Sequence, residues 1–377
     1  MNYVAYLNTY YNRPCTAQLL WWYYYLIDHL PQTTLIVNAD YMNIDTNRWE
    51  YANFEKAPYS YSDPKNLRAT DVVVLKRFEK YPELKDIEIP TELTSKSINT
   101  SIPSVVNDLV DILTRKEKKD AGISWVNNAS FDEACKIVGI PSIHNEDGAL
   151  RNPFIRTNYF DFSGINGNTE FDKRYKLFKK VSSRVKIFPR QELLMLVTQP
   201  QHKAYIEALT RKQPNCKCGV AMQVDVDTNV LAFNRGVSET DVINIAAKKY
   251  GGKILIRNHP LSSTGFINPS SLSGQLDTSA NSLEFISKCE RIYTLNSSVA
   301  FEALLLGKEV RIFGDNPFRE LQFMNEEELT IALNFAVFSY LIPTTRLYDE
   351  NYYKMRIQCK DEEYLYNEGQ RYWLNET

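Results

Sequence analysis

The chain has 377 residues, 24% of them charged, and a formal net charge of −2; it is long for one hydrophobic core and suits two. The near-neutral balance excludes the global basic field that draws nucleic acid, and ordinary counts of 14 Gly and 16 Pro exclude long disordered tracts. The first residues, MNYVAYLNTYYNRPC, lack a basic region followed by an apolar core, and no run of about 18 apolar residues exists, so neither a signal peptide nor a spanning helix is expected.

Six cysteines (Cys15, Cys135, Cys216, Cys218, Cys289 and Cys359) are scattered without zinc-site spacing, which points to a reducing, cytoplasmic setting. The 24 Tyr and 18 Phe suit sugars and other amphipathic ligands.

Residues 4–7 read as a first strand. Residues 16–30, TAQLLWWYYYLIDHL, read as a helix that is apolar nearly all round, hence buried; its Trp and Tyr also suit a membrane interface, although it carries no Lys or Arg. Residues 34–37 and 71–75 are further strands, separated by a polar, Tyr-rich loop over 45–70. A Thr/Ser-rich connection over 90–103 leads to a helix at 105–119, a strand at 123–126 and a helix at 130–138.

A short strand at 141–143 opens into His144-Asn145-Glu146-Asp147-Gly148, which reads either as a plain turn or as a pair of acids presented at a strand end. Residues 154–172 read as a loop. Residues 173–190 carry eight basic residues and no acid: a solvated helix face, or an electrostatic seat for anionic lipid or polysaccharide. Helix continues over 191–197, and residues 200–214 are helix and then linker, where a domain boundary is expected.

The second half alternates: strand 220–224, helix 238–250 with a capping-box-like Ser238-x-x-Asp241, strand 253–256, helix 282–289, strand 291–295, helix 299–306 ended by Gly307, strand 309–313 and helix 326–338. Such alternation predicts a parallel sheet covered on both faces. The stretch 349–377 is polar, aromatic and helical in pattern.

Chemistry gathers at the strand ends. Asn296-Ser297-Ser298 sits at a βα turn, where the N–H groups of a helix start and two hydroxyls make an anion site or simply a cap. Arg257-Asn258-His259-Pro260 follows another strand. Between them, Gln223, Asp225 and Asp227 would point to one side of an extended chain, or lie in a polar turn. Asp225-Val226-Asp227 also fits an Asp-x-Asp metal pattern, but a histidine, an arginine and a helix start neutralise a phosphate without metal, so neither metal nor cofactor is expected.

Taken together, E-D-G followed by Arg151, Q-x-x-x-D, H-P, and T-L-N-S-S with F-E-A-L-L-L-G-K-x-V resemble the capsule-polysaccharide and O-antigen β-Kdo glycosyltransferases over residues 140–315. The first 140 residues show no recognisable motif. The resemblance implies an α/β GT-B fold of two Rossmann-like domains facing a cleft: an acceptor domain over 1–205, a CMP-sugar domain over 206–345, and a helical tail over 346–377 packing back on the first. It implies CMP-Kdo as donor and a glycan or glycolipid acceptor, with peripheral contact to inner-membrane lipid through 173–190.

By the same resemblance, Asp227 is the nucleophile, with Asp225 in reserve, and Glu146 is the base for the acceptor hydroxyl. His259, Ser297 and Ser298 would hold the CMP phosphate alongside Gln223 and Asn296. Arg257 suits phosphate or the sugar carboxylate, and Glu302 would accept from the ribose hydroxyls. Arg151 and Asp147 would serve acceptor or carboxylate. The H-P, S-S and acid-acid-Gly motifs also resemble the inverting CMP-sialic acid transferases, in which Glu146 or Asp147 would be the sole base. A non-catalytic glycan-binding module is the reading from another class.

Overall fold

The computed structural model describes residues 1–7, 25–26, 29–30, 32–38, 71–75, 99–115, 117–224, 227–251, 253–259 and 274–376. The readings of 45–70, of most of 16–30 and 90–103, and of Asp225 lie outside these residues. The chain divides into two compact units: unit 1 comprises Met1–Glu146, Asp161–Gly164 and Thr345–Cys359, and unit 2 comprises Asp147–Phe160, Ile165–Thr344 and Lys360–Thr377.

Among the described residues, unit 1 has five parallel strands, β1 (Tyr3–Leu7), β2 (Thr33–Asn38), β3 (Asp71–Leu75), β4 (Ala121–Trp125) and β5 (Ser142–Asp147), in the spatial order 3-2-1-4-5. Helix α1 (Pro103–Thr114) starts with Pro at its first turn, where the missing N–H costs nothing, and buries Val105, Val106, Leu109, Ile112 and Leu113 at helical spacing. Helix α2 (Ala129–Val138) is capped by Asn128, which accepts from Phe131 N–H at 2.9 Å, and is ended by Gly139 at φ 79°. These helices and β1 share one core of Val4, Tyr6, Leu109, Phe131 and Cys135. Gly122 in β4 is required there: a Cβ would stand 2.6 Å from Cys135 Sγ and 2.8 Å from Phe131 Cζ.

In unit 2, β6 (Thr157–Asp161) pairs antiparallel with β12 (Leu341–Pro343). Its main sheet has β7 (Cys218–Ala221), β8 (Ile254–Arg257), β9 (Gln275–Leu276), β10 (Arg291–Thr294) and β11 (Glu309–Ile312), all parallel. Their order is again third-second-first-fourth-fifth, the winding of a mononucleotide-binding α/β unit. The helices are α3 (Phe171–Lys179), α4 (Arg190–Val197), α5 (Lys203–Thr210), α6 (Thr228–Phe233), α7 (Glu239–Tyr250), α8 (Ser282–Lys288), α9 (Val299–Leu305) and α10 (Glu326–Phe335). A π-helical turn, Ala336–Tyr340, follows. Helix α11 (Glu350–Gln358) lies in unit 1, and α12 (Glu362–Glu376) in unit 2.

The expected capping box is present: the Ser238 hydroxyl accepts from Asp241 N–H, and the Asp241 carboxylate accepts from Ser238 N–H. Other expectations are corrected. The loop expected over 154–172 contains β6. Of the two readings at 144–148, the pair of acids at a strand end is the one observed: β5 runs on to Asp147 and ends with both acids. The helix expected to continue from 173 to 197 is broken after Lys179 by a 3-10 turn and by Pro189, which has no N–H to donate and disfavours helix at the residue before it.

The chain first passes between units at Glu146–Asp147, and it does not pass between them near residue 205. Residues 165–205 belong to unit 2 because α3 is bound into it. Phe171 packs on Phe318, Phe335 and Tyr340 with centroids 5.4, 5.3 and 4.9 Å away. Buried Arg174 forks onto Glu362 at 2.7 and 3.0 Å and donates to Ser339 Oγ at 2.9 Å. Four of the eight basic residues at 173–190 have acidic partners within unit 2: Arg174 with Glu362, Lys179 with Glu328, Arg184 with Glu363 and Arg190 with Glu326.

Candidate active site

In an open α/β sheet the ligand crevice lies outside the carboxyl ends of the strands, where the winding reverses. In unit 2 that point lies between β7 and β10. The residues after these two strands are tied together. Gln223 Oε1 accepts from Asn296 N–H at 3.0 Å, and Glu239 accepts from Gln223 N–H. Asn296 is fully buried; its Nδ2 donates to the Asn229 and Phe233 carbonyls at 2.9 and 3.4 Å, and its own carbonyl accepts from Asn316 Nδ2 at 2.8 Å. The backbone after β10 is thereby locked to both ends of α6.

Asp227 is the N-cap of α6, and its Oδ1 accepts from Asn229 N–H at 3.1 Å. Of the two readings of Gln223 and Asp227, the polar turn is the one supported: Asp227 N–H donates to the Val224 carbonyl at 2.9 Å. Gln223 and Asp227 therefore do not share the face of a strand.

Ser297 and Ser298 are half-buried at the start of α9. Ser297 Oγ accepts from Val299 N–H at 3.3 Å, and Ser298 makes no side-chain cap bond. His259 is half-buried, two residues beyond the end of β8.

Arg257, the last residue of β8 and an expected phosphate or carboxylate ligand, is the partner of a buried acid. Its Nη1 donates to Asp277 Oδ2 at 2.7 Å and to the Ser279 carbonyl at 2.9 Å. The Asp277 side chain is 0% exposed. Burial alone would raise its pKa, but the Ser279 hydroxyl and amide and the Arg257 guanidinium outweigh burial and hold it below the usual carboxylate value. Nη1 is thus engaged in neutralising a buried acid.

Glu302, one turn into α9, is buried and accepts from Ser282 Oγ at 3.0 Å. Burial pushes its carboxyl up to about 7, against the opposing pull of Ser282, Arg151 and Arg257. Arg151, Arg257 and Glu302 thus form one electrostatic group, although Arg151 is exposed. Asp147 pairs with Arg156 at 2.7 Å. Gly148 has room for no Cβ, which would stand 2.4 Å from Thr157 Oγ1.

In unit 1 the carboxyl ends of β4 and β5 hold a second cluster. Val126 adopts φ 66°, a left-handed backbone that costs a β-branched residue on the order of 1–3 kcal/mol. Its N–H donates to the Asn145 carbonyl at 2.9 Å, and its carbonyl accepts from Ser124 Oγ at 3.0 Å and lies 3.2 Å from His144 Nδ1. The other ring nitrogen of His144 is 3.1 Å from Asp132 Oδ1. Burial pushes His144 down, but Asp132, the Val126 carbonyl and Asp161 outweigh it and raise the pKa. Tyr353 of α11 donates to Asn145 Oδ1 at 3.0 Å. Glu146 follows on β5, half-buried, on the same strand face as His144.

The structure adds Asn229, Asp277, Ser282, Asn316 and Arg156 to the residues found from sequence. Asn-rich turns gave no signal beyond turn propensity, and Asp277 and Ser282 are far in sequence from the groups they serve.

Residues 5–170 match the family model for the glycosyltransferase 99 family N-terminal domain. A search of curated proteins finds no match. Among solved structures, the chain is similar to the β-Kdo 2,7 transferase of Thermosulfurimonas dismutans KpsC at 13% identity and a TM-score of 0.47, covering 94% of this chain and 100% of that one. The β-Kdo 2,4 transferase of the same KpsC shows 18% identity and a TM-score of 0.34, with coverages of 57% and 79%. UDP-GlcNAc 2-epimerase of Methanocaldococcus jannaschii shows 12% identity and a TM-score of 0.33, with coverages of 94% and 99%. Over residues 5–170, fewer than half of the chain, the sequence is similar to the glycosyltransferase 99 family N-terminal domain.

Proposed function

We propose that the protein is a retaining glycosyltransferase that moves Kdo from CMP-Kdo to a sugar hydroxyl of a bacterial surface glycan, working in the cytoplasm without a metal. The observation that carries this reading is the switch point of unit 2. There Asn296 fastens the backbone after β10 to Gln223 and to α6, whose N-cap is Asp227. A carboxylate fixed at the carboxyl edge of a nucleotide-binding type of sheet suits attack on a bound sugar nucleotide.

Retention follows from two displacements. The Asp227 carboxylate attacks the anomeric carbon, and CMP leaves with the bonding electron pair. An acceptor hydroxyl, giving its proton to Glu146, then displaces Asp227 and takes the sugar. His259, Ser297 and Ser298 hold the departing phosphate, whose charge needs stabilisation more than it needs an acid. Arg151, exposed beside Glu302, suits the Kdo carboxylate. Arg257 acts from its pair with Asp277 as a fixed positive charge, and Glu302, near neutrality, can accept from or donate to the ribose hydroxyls. Asp147 is held in an ion pair with Arg156 at 2.7 Å.

Titration calorimetry of CMP and UMP into the full chain tests the donor. CMP is expected to bind in preference to UMP, and His259→Ala to weaken it about tenfold or more, the loss of one charge-assisted hydrogen bond. Binding of UMP with none of CMP would refute the CMP-sugar reading. CMP-Kdo binding without turnover on any glycan would favour a binding module.

A further inference from the structure

Cys216 and Cys289 face each other at the amino edge of the unit-2 sheet, the edge opposite to the proposed donor crevice. Strands β7 and β10 run parallel with Gly219 opposite Ile292 and Val220 opposite Tyr293. The same register, carried upstream, joins Cys216 to Cys289 as an isolated parallel bridge. Backbone bonds fix it: Cys216 N–H donates to the Lys288 carbonyl at 2.9 Å, and Glu290 N–H donates to the Cys216 carbonyl at 2.9 Å. Neighbouring strands lie about 4.8 Å apart, and disulfides join Cα atoms roughly 4.4–6.8 Å apart, so a bond fits this pair without moving either strand.

The two sulfurs differ in character. Cys289 is fully buried, whereas Cys216 is half-buried. The Cys289 thiol donates to the Phe285 carbonyl at 3.4 Å and the Cys216 thiol to the Lys253 carbonyl at 3.2 Å; the closeness of the two sulfurs, with nearby backbone groups, draws Cys216 down to about 6 and pushes Cys289 up. A partly exposed thiolate beside a second thiol is the arrangement of an oxidation-prone cysteine with a resolving partner. Cys218, two residues along, is buried and also pushed up.

We propose that Cys216 and Cys289 form a reversible disulfide when the protein meets a peroxide. The Cys216 thiolate attacks one peroxide oxygen, giving a sulfenic acid and releasing the other oxygen as water after it takes up a proton. The Cys289 sulfur then attacks the sulfenic sulfur, the S–S bond forms, and the hydroxyl leaves as water with the Cys289 proton. Two thiols and one peroxide become one disulfide and two waters, and a dithiol reductant reverses the change. The crosslink closes the chain from the entrance of β7 to the entrance of β10, enclosing α6, α7, β8, β9 and α8. It constrains the unfolded chain and touches none of the residues placed in the proposed chemistry.

The full chain is exposed to hydrogen peroxide, alkylated, digested without reductant and mapped by mass spectrometry. A peptide pair joined through Cys216 and Cys289, reopened by dithiothreitol and formed equally in Cys218→Ser, is the expected result. The thermal midpoint should rise on oxidation of the wild type and stay unchanged in Cys216→Ser and Cys289→Ser. Dimedone added with the peroxide should label Cys216 in the wild type, which tests the first step independently of whether either variant folds. Conversion of Cys216 to sulfinic acid with Cys289 still alkylatable, a Cys216–Cys218 link, or no dimedone label at Cys216 would overturn the proposal.

Discussion

Glu302→Gln isolates the cost of a buried carboxyl in unit 2. Glu302 titrates at about 7 in the fold against 4.5 unperturbed, chiefly because burial disfavours its charge. Between these values the native state holds a proton that the unfolded chain has released. Stability therefore falls as pH rises through this window, and the whole penalty is present above pH 7. The two pKa values make that penalty about 2.5 kcal/mol larger at pH 8 than at pH 5. Glutamine is neutral throughout and still accepts from Ser282 Oγ, so Glu302→Gln should gain about 2.5 kcal/mol relative to wild type between pH 5 and pH 8. Urea unfolding of both proteins at the two pH values measures this. A wild type and a variant that keep the same difference at both pH values would refute the placement of Glu302 as a desolvated acid.

Three further outcomes are expected. Arg174→Met leaves Glu362 buried without its cation and should cost about 3–5 kcal/mol, whereas Arg174→Met with Glu362→Met should recover most of it; denaturant melts of the single and double variants decide, and equal losses would contradict the buried-pair account. Asn296→Ala removes the side chain tying the backbone after β10 to α6 and should cost about 1–3 kcal/mol, with hydrogen exchange quickening in α6 before α7. Gly122→Ala drives a methyl into Cys135 and Phe131 and should cost about 1–3 kcal/mol, read as a lower thermal midpoint; a neutral result would contradict the tight helix–strand approach.

The alternation of strand and helix in the second half was legible because each element has an apolar run and a chemical stop: the Ser238–Asp241 capping box, and Gly307 at φ 74°. Strands β6, β9 and β12 were not legible, since two to five residues carry too little periodicity to stand out. Glu146 and Asp147 read as a turn or as acids at a strand end because local propensity favours turns there, but parallel pairing with β4 carries the strand up to Asn145. The pairing of four of the cations at 173–190 was not legible because their partners Glu326, Glu328, Glu362 and Glu363 are more than 130 residues away in the chain. The acidic partner of Arg257 was not legible for the same reason: Asp277 lies 20 residues on, beyond a stretch without pattern. The part of the chain without a recognisable motif is where most of the family match falls, because such a match sums many weak positional preferences that no short motif holds.

The central claim is tested most directly by intact-protein mass spectrometry after mixing with CMP-Kdo, on the wild type and on Asp227→Asn. The account predicts a gain of one Kdo on the wild type and none on Asp227→Asn, with CMP still bound by both. A wild type that binds CMP but never gains the sugar, or an adduct that persists in Asp227→Asn, would contradict it.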